Sequence, residues 1–155
     1  MALSNELPVY VETYHYIQAV LDTHKNFPRD IKHTVGQEWI KRVISLPTFI
    51  VRANMFKSER EAYLTDFICE FEYCKLIVRL AGDNRWISRK QQSNLMYLEA
   101  AIGKQVTAWK NASKKRYRKR EIAEDGDWSV QRTEYGSLRM TIEYALPWEM
   151  GVLLP

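Results

Sequence analysis

Apolar residues recur at three- and four-residue spacing in four separate stretches of this 155-residue chain, each bounded by residues that start or stop helices. A helix with one apolar stripe must bury that stripe against another element, so four of them in a row leave few architectures. The first stretch starts at Pro8, suited to a first helical turn, and runs to about Lys25 with Val11, Tyr14, Ile17 and Leu21 as its stripe. Asn26-Phe27-Pro28 stops it. The second starts near Pro28 or Asp30 and continues to about Phe56, with Val35, Trp39, Val43, Leu46, Ile50 and Ala53 in phase. Pro47 interrupts it, but the stripe keeps its phase, which predicts one kinked helix rather than two.

The third stretch opens on a capping box, Ser58 with Glu61, and stops at Gly82; Leu64, Phe67, Ile68, Phe71, Cys74, Val78 and Ala81 lie between. The fourth repeats the start signal with Ser88 and Gln91 and carries Leu95, Leu98, Ile102, Val106 and Trp109 into a basic cluster. Short connections between long helices favour antiparallel neighbours. The expected fold is all-α: an up-down-up-down antiparallel four-helix bundle over residues 1–120, with a non-helical or partly β extension over 121–155. In that extension, 129–132 and 138–144 read as short β-like stretches around Gly136, and Ala145–Pro155 is apolar enough to dock on the bundle or a partner.

Charge divides at the same boundary. Residues 1–120 carry 21 Lys/Arg against 12 Asp/Glu, whereas residues 121–155 carry 2 against 7. At the junction stand Lys114, Lys115, Arg116, Arg118, Lys119 and Arg120, six cations in seven residues around Tyr117. Basic residues at a helix C-terminus complement its dipole, but this run is denser than that role needs. Its natural ligand is a polyanion, and Tyr117 offers a ring for an exposed base. Nucleic acid, DNA or RNA, is therefore the expected partner, bound through a salt-sensitive, largely sequence-independent contact. Arg89 and Lys90 add cations at the start of the fourth helix. Arg79, inside Leu76-Ile-Val-Arg-Leu-Ala81, has two readings: a stem lying on the bundle with its head in water, or a cation presented to the same polyanion. The acidic extension is expected to fold back on the basic run and compete with nucleic acid, or to dock a partner.

Other chemistries find little support. Glu12 and His15 form one Glu-x-x-His pair, whereas a di-iron bundle needs two with further carboxylates, so no metal or other cofactor is expected. Cys69 and Cys74 are five apart, which disfavours a disulfide on a helix; Cys74 fits the core stripe. No phosphate-cradling glycine loop, nucleophile signature or paired catalytic groups occur, so no enzymatic activity is expected. No apolar run approaches a membrane span, and the start of the chain lacks a secretory signal, which places the protein in the cytoplasm with no membrane partner.

Several ordered fragments carry a resemblance: Leu7-Pro8-Val9-Tyr10; Lys25-Asn26-Phe27-Pro28-Arg29 with Lys32, Thr34, Val35 and Gly36; Arg79-Leu80-Ala81; Ile87-Ser88; and Ala101-Ile102-Gly103-Lys104 followed by Trp109. Over residues 7–112 the chain resembles the four-helix-bundle family that contains the accessory variability determinant (Avd-like) proteins of diversity-generating retroelements. The same family includes proteins encoded by intervening sequences of 23S ribosomal RNA. The resemblance implies a basic, ring-shaped homopentamer. Its retroelement members associate with the element's reverse transcriptase and bind nucleic acid during mutagenic copying of a template repeat, without catalysis of their own. The alternative is a structural bundle of the intervening-sequence type with no reverse transcriptase partner. Gly36 and Gly103, costly in helices, are expected to permit close helix approach, and Trp109 to close one end of the bundle. Members commonly end soon after the fourth helix, so the 121–155 extension departs from the pattern.

Overall fold

A computed structural model describes residues 2–124; Met1 and residues 125–155 lie outside the described residues, and with them the expected hairpin and the Ala145–Pro155 segment. The described residues form four long helices: α1 (Pro8–His24), α2 (Val35–Met55), α3 (Arg60–Asp83) and α4 (Arg89–Glu124). Among them there is no strand, and no helix is long and apolar enough to cross a membrane. The chain divides into two units, Met1–Lys115 and Arg116–Pro155, so α4 contributes to both.

Within the first unit the helices are antiparallel neighbours. Phe27 stacks on Trp39 where α1 turns into α2, with ring centroids 5.3 Å apart and planes within 8°. At the other end of that pair, Asn54 donates to the Ala2 carbonyl and Ser4 hydroxyl. Arg42 of α2 bridges to Glu70 of α3 at 3.3 Å and lies 4.0 Å over the Tyr73 ring. Lys114 of α4 pairs with Glu61 of α3 at 3.2 Å, and Tyr16 of α1 donates to Glu99 of α4 at 2.8 Å. The bundle is up-down-up-down, as the spacing predicts.

The core holds Trp39, Val43, Leu46, Ile50 and Ala53 of α2, and Leu64, Phe67, Phe71, Cys74, Val78 and Ala81 of α3. From α4 come Leu95, Ile102 and Val106, with Leu98 and Trp109 half-buried. These are the expected stripes. Burial pushes the Cys74 thiol up to about 12, as befits a packing residue. Cys69 is exposed, and neither cysteine is bridged.

Helix α1 differs. Its packed face is Val9, Thr13, Tyr16, Val20 and Thr23, whereas the expected stripe members Val11, Tyr14 and Leu21 are 38%, 53% and 39% exposed. Both sets have helical spacing, and the buried one contains two threonines that an apolarity count passes over. Thr13 is admitted to the interior because its hydroxyl donates to the Val9 carbonyl at 2.7 Å.

The helix ends bring further corrections. The second stretch is broken: Arg29–Lys32 is a separate turn, and the chain bends at Thr34 (φ −117°, ψ −90°) before α2 begins. From there α2 is continuous through Pro47. The expected Ser58–Glu61 capping box does not form, because residues 57–59 make a tighter turn and α3 starts at Arg60 without a side-chain cap. Arg60 instead donates to the Ala53 carbonyl at 2.7 Å, satisfying the end of α2, and lies 5.3 Å over Trp109. Gly82 does not terminate α3 through its own backbone freedom. Arg85 takes the left-handed position (φ 58°), with Trp86 N–H bonding Ala81 O and Arg85 N–H bonding Gly82 O in a Schellman arrangement. The Ser88–Gln91 box is present in both directions, at 3.0 and 3.1 Å.

Two glycines part company with a third. A Cβ at Gly36 would lie 2.6 Å from the His24 ring, which is positioned by a contact with the Lys32 carbonyl, and one at Gly82 would strike the Gln92 amide. Gly103, expected to permit close approach, has nothing within 4 Å of such a Cβ. Gly103→Ala should therefore raise stability by about 0.5–1 kcal/mol, because it removes backbone entropy at no steric cost. A melting temperature at or below that of the unaltered protein would refute this account of the site.

Candidate nucleic-acid interface

The basic charge of the bundle resides on one helix. From residue 8 to residue 83 there are ten Asp/Glu and ten Lys/Arg. From residue 89 to residue 120 there are ten Lys/Arg and a single acid, Glu99. That acid is 7% exposed and faces the core, so the solvent side of α4 carries no carboxylate over 32 residues.

Helical register distributes the cations. At 3.6 residues per turn, Tyr97 and Lys115 are five full turns apart and share an azimuth, and Lys90 and Lys104 lie seven residues to either side of Tyr97. All four are exposed. The ridge from Lys90 to Lys115 spans about 37 Å at roughly 1.5 Å per residue. Arg89 and Lys90 occupy the first turn, where the helix dipole disfavours cations by roughly 0.3–1 kcal/mol each. Stability alone would place acids there; the Ser88–Gln91 cap holds the helix end in their absence.

The expected site residues fall into three groups. Arg89, Lys90, Lys114 and Lys115 lie on α4 within the first unit, and Lys114 is engaged by Glu61. Arg116, Arg118, Lys119 and Arg120 lie on α4 within the second unit, helical and exposed, as is Tyr117 at 64%. Arg79 is exposed on α3 and stands 18 residues, five full turns, after Glu61. It therefore has the azimuth that turns toward α4, which joins it to the basic face rather than to the far side of the bundle. Lys104, Lys110 and Tyr97 belong to the same helix and are not among the candidate site residues that the sequence offers, which are the dense run with Arg79, Arg89 and Lys90. The missing signal was a shortage of acids rather than a concentration of bases.

Beneath this face lies a polar core contact. Burial is the main cause that raises the Glu99 carboxyl to about 7; the Tyr16 hydrogen bond and Lys75 oppose the rise, and Glu72 adds to it. Burial, then the neighbouring Glu99, holds the Tyr16 phenol well above its ordinary range. Trp39 Nε1 is buried without a partner in hydrogen-bond geometry, and its N–H acts on the same phenol in the opposite sense. These groups are enclosed and offer no access to a substrate. Among the described residues no cluster of three His, Cys, Asp or Glu could hold a metal ion.

No curated protein and no solved structure matches the chain. A family model described as bAvd-like matches residues 9–113, which takes in nearly all of α1, α2, α3 and α4 as far as Ser113; the dense basic run from Lys114 to Arg120 lies beyond the match. That match covers more than half of the chain, and the chain belongs to the bAvd-like family.

Proposed function

We propose that the protein is a noncatalytic, nucleic-acid-binding accessory protein of a diversity-generating retroelement, acting with the element's reverse transcriptase. Membership of the bAvd-like family supports an accessory role. The observation that carries nucleic-acid binding is the outer face of α4 from Arg89 to Arg120, which bears no carboxylate, since cations set at a helix N-terminus against the dipole need a reason outside folding. Such a face binds phosphates without reading bases, so one protein serves template, transcript and product strands alike. A homo-oligomer, expected as a pentamer, would multiply the face. The exposed Val11, Tyr14 and Leu21 of α1 supply apolar surface for contacts between copies.

The test is binding of labelled duplex DNA and structured RNA by the full chain from about 50 to 200 mM salt. With six or more phosphate contacts, affinity should fall by roughly a thousandfold or more over that range. Light scattering on the same sample should report a multiple of the 18.4 kDa chain. Reverse transcriptase encoded beside the gene should co-purify. Salt-independent affinity, or none, would overturn the reading and leave the structural-bundle alternative.

A further inference from the structure

Tyr97 is the most exposed large apolar side chain among the described residues, at 75%, and nothing in the bundle requires it. It makes no hydrogen bond to another described residue, and its helical neighbours at three and four positions are Ser93, Asn94, Ala100 and Ala101. These side chains are too short to cover a ring, so both faces of the phenol are open. Tyr14, also exposed, is by contrast engaged by the Gln18 amide at 3.0 Å and by the His15 ring. Exposed Lys90 and Lys104 stand two turns to either side of Tyr97, about 10 Å along the axis. A lysine stem covers most of that distance, and neither ammonium is paired with a carboxylate of a described residue.

We infer that Tyr97 is a base-stacking residue, and that the Lys90–Tyr97–Lys104 ridge is a binding site for single-stranded nucleic acid. The inference rests on the reading of α4 as a nucleic-acid interface and adds a preference that charge alone does not give. Lysines attract any phosphate backbone, duplex or single-stranded. A ring projecting from a ridge contributes only where a base is free to leave its stack, since bases inside a duplex present no π-face. The two lysines would hold the phosphates that flank the stacked nucleotide.

The experiment compares the full chain with Tyr97→Ala, Tyr97→Trp and the double variant Lys90→Gln/Lys104→Gln. Probes are a mixed-sequence oligonucleotide of about 16 nucleotides, as DNA and as RNA, and the same sequence as a blunt duplex. Tyr97 is exposed, so its replacements leave the fold intact, which circular dichroism verifies. Stacking contributes enough that Tyr97→Ala should weaken single-strand binding by roughly 5- to 150-fold, leave duplex binding within about twofold, and leave the salt slope unchanged. Tyr97→Trp should restore the affinity. The lysine pair should weaken both probes and flatten the slope.

If the lysine pair weakens binding while Tyr97→Ala changes nothing, the stacking inference falls and the basic interface stands. If Tyr97→Ala weakens duplex and single strand equally, the ring is not reading free bases, and the inference also falls. If Tyr97→Ala instead abolishes self-association while single-strand binding is kept, the residue is a contact between copies. If the unaltered protein binds none of the probes, the interface reading fails and takes the inference with it.

Discussion

Replacing Lys115, Arg116, Arg118, Lys119 and Arg120 together by glutamine should lower duplex affinity at low salt by roughly a hundredfold or more, and should reduce the slope of log affinity against log salt by about 3–5. Glutamine keeps helix propensity while removing charge, so α4 should be preserved. Lys114 is left out because Glu61 already engages it. The control, compared per charge removed, replaces Lys41 and Lys57, both exposed and both in the charge-balanced part of the chain. There acids and bases are equal in number, and the expected change is within about twofold. Equal losses per charge removed in run and control would mean that net charge, rather than the α4 face, governs binding. A loss with unchanged salt slope would mean that these residues act by something other than phosphate contact.

The second large effect is on stability. Glu99 in the fold keeps its proton up to about pH 7, against an ordinary value of 4.5. A group whose folded pKa is raised stabilises the fold fully below its unfolded pKa, and that stability is lost as pH rises through the folded value. The Glu99 contribution is therefore present near pH 4, declines between pH 4.5 and 7, and is gone above. A shift of that size corresponds to about 3 kcal/mol at most. Glu99→Gln mimics the protonated side chain and retains an acceptor for Tyr16. Relative to the unaltered protein it should be near neutral at pH 4.5 and more stable at pH 8 by about 3 kcal/mol at most, a gain in melting temperature of several degrees. Cys74, Lys75 and Glu72 are unchanged by the substitution, so the difference isolates Glu99. Tyr16→Phe should destabilise at every pH by about 1–3 kcal/mol, since it strips a buried carboxyl of its donor. Denaturant titrations at three pH values check both, and a pH-independent difference for Glu99→Gln would refute the account.

The bundle was legible in the chain because three of its four stripes are made of aliphatic and aromatic residues, whose spacing registers directly. Helix α1 was misread for a physical reason: its buried face is half threonine and tyrosine, while apolar residues populate the outside. Capping was legible where side chain and backbone cooperate, as at Ser88 and Gln91. It failed at Ser58, where a guanidinium from the following helix satisfies the preceding one across the turn. The candidate site was only partly visible. A run of six cations attracts notice, whereas Lys104 and Tyr97 acquire meaning only when the helix places them in line with Lys90 and Lys115. Glu99 was invisible as a core residue because a carboxylate inside an amphipathic pattern reads as solvent-facing until its Tyr16 partner, 83 residues away, is brought beside it.

That separation has a consequence for how the chain reaches its native state. Each helix is the neighbour of the next, so three of the four seams close by short excursions along the chain, at little entropic expense. The seam between α1 and α4 is different, because it requires the first and last elements to find each other across the whole domain. Tyr16 and Glu99 mark that seam. Their contact is expected to form after the folding barrier, so in stopped-flow kinetics Tyr16→Phe should hasten unfolding while leaving the speed of folding nearly untouched; a folding rate slowed in proportion to the lost stability would refute this.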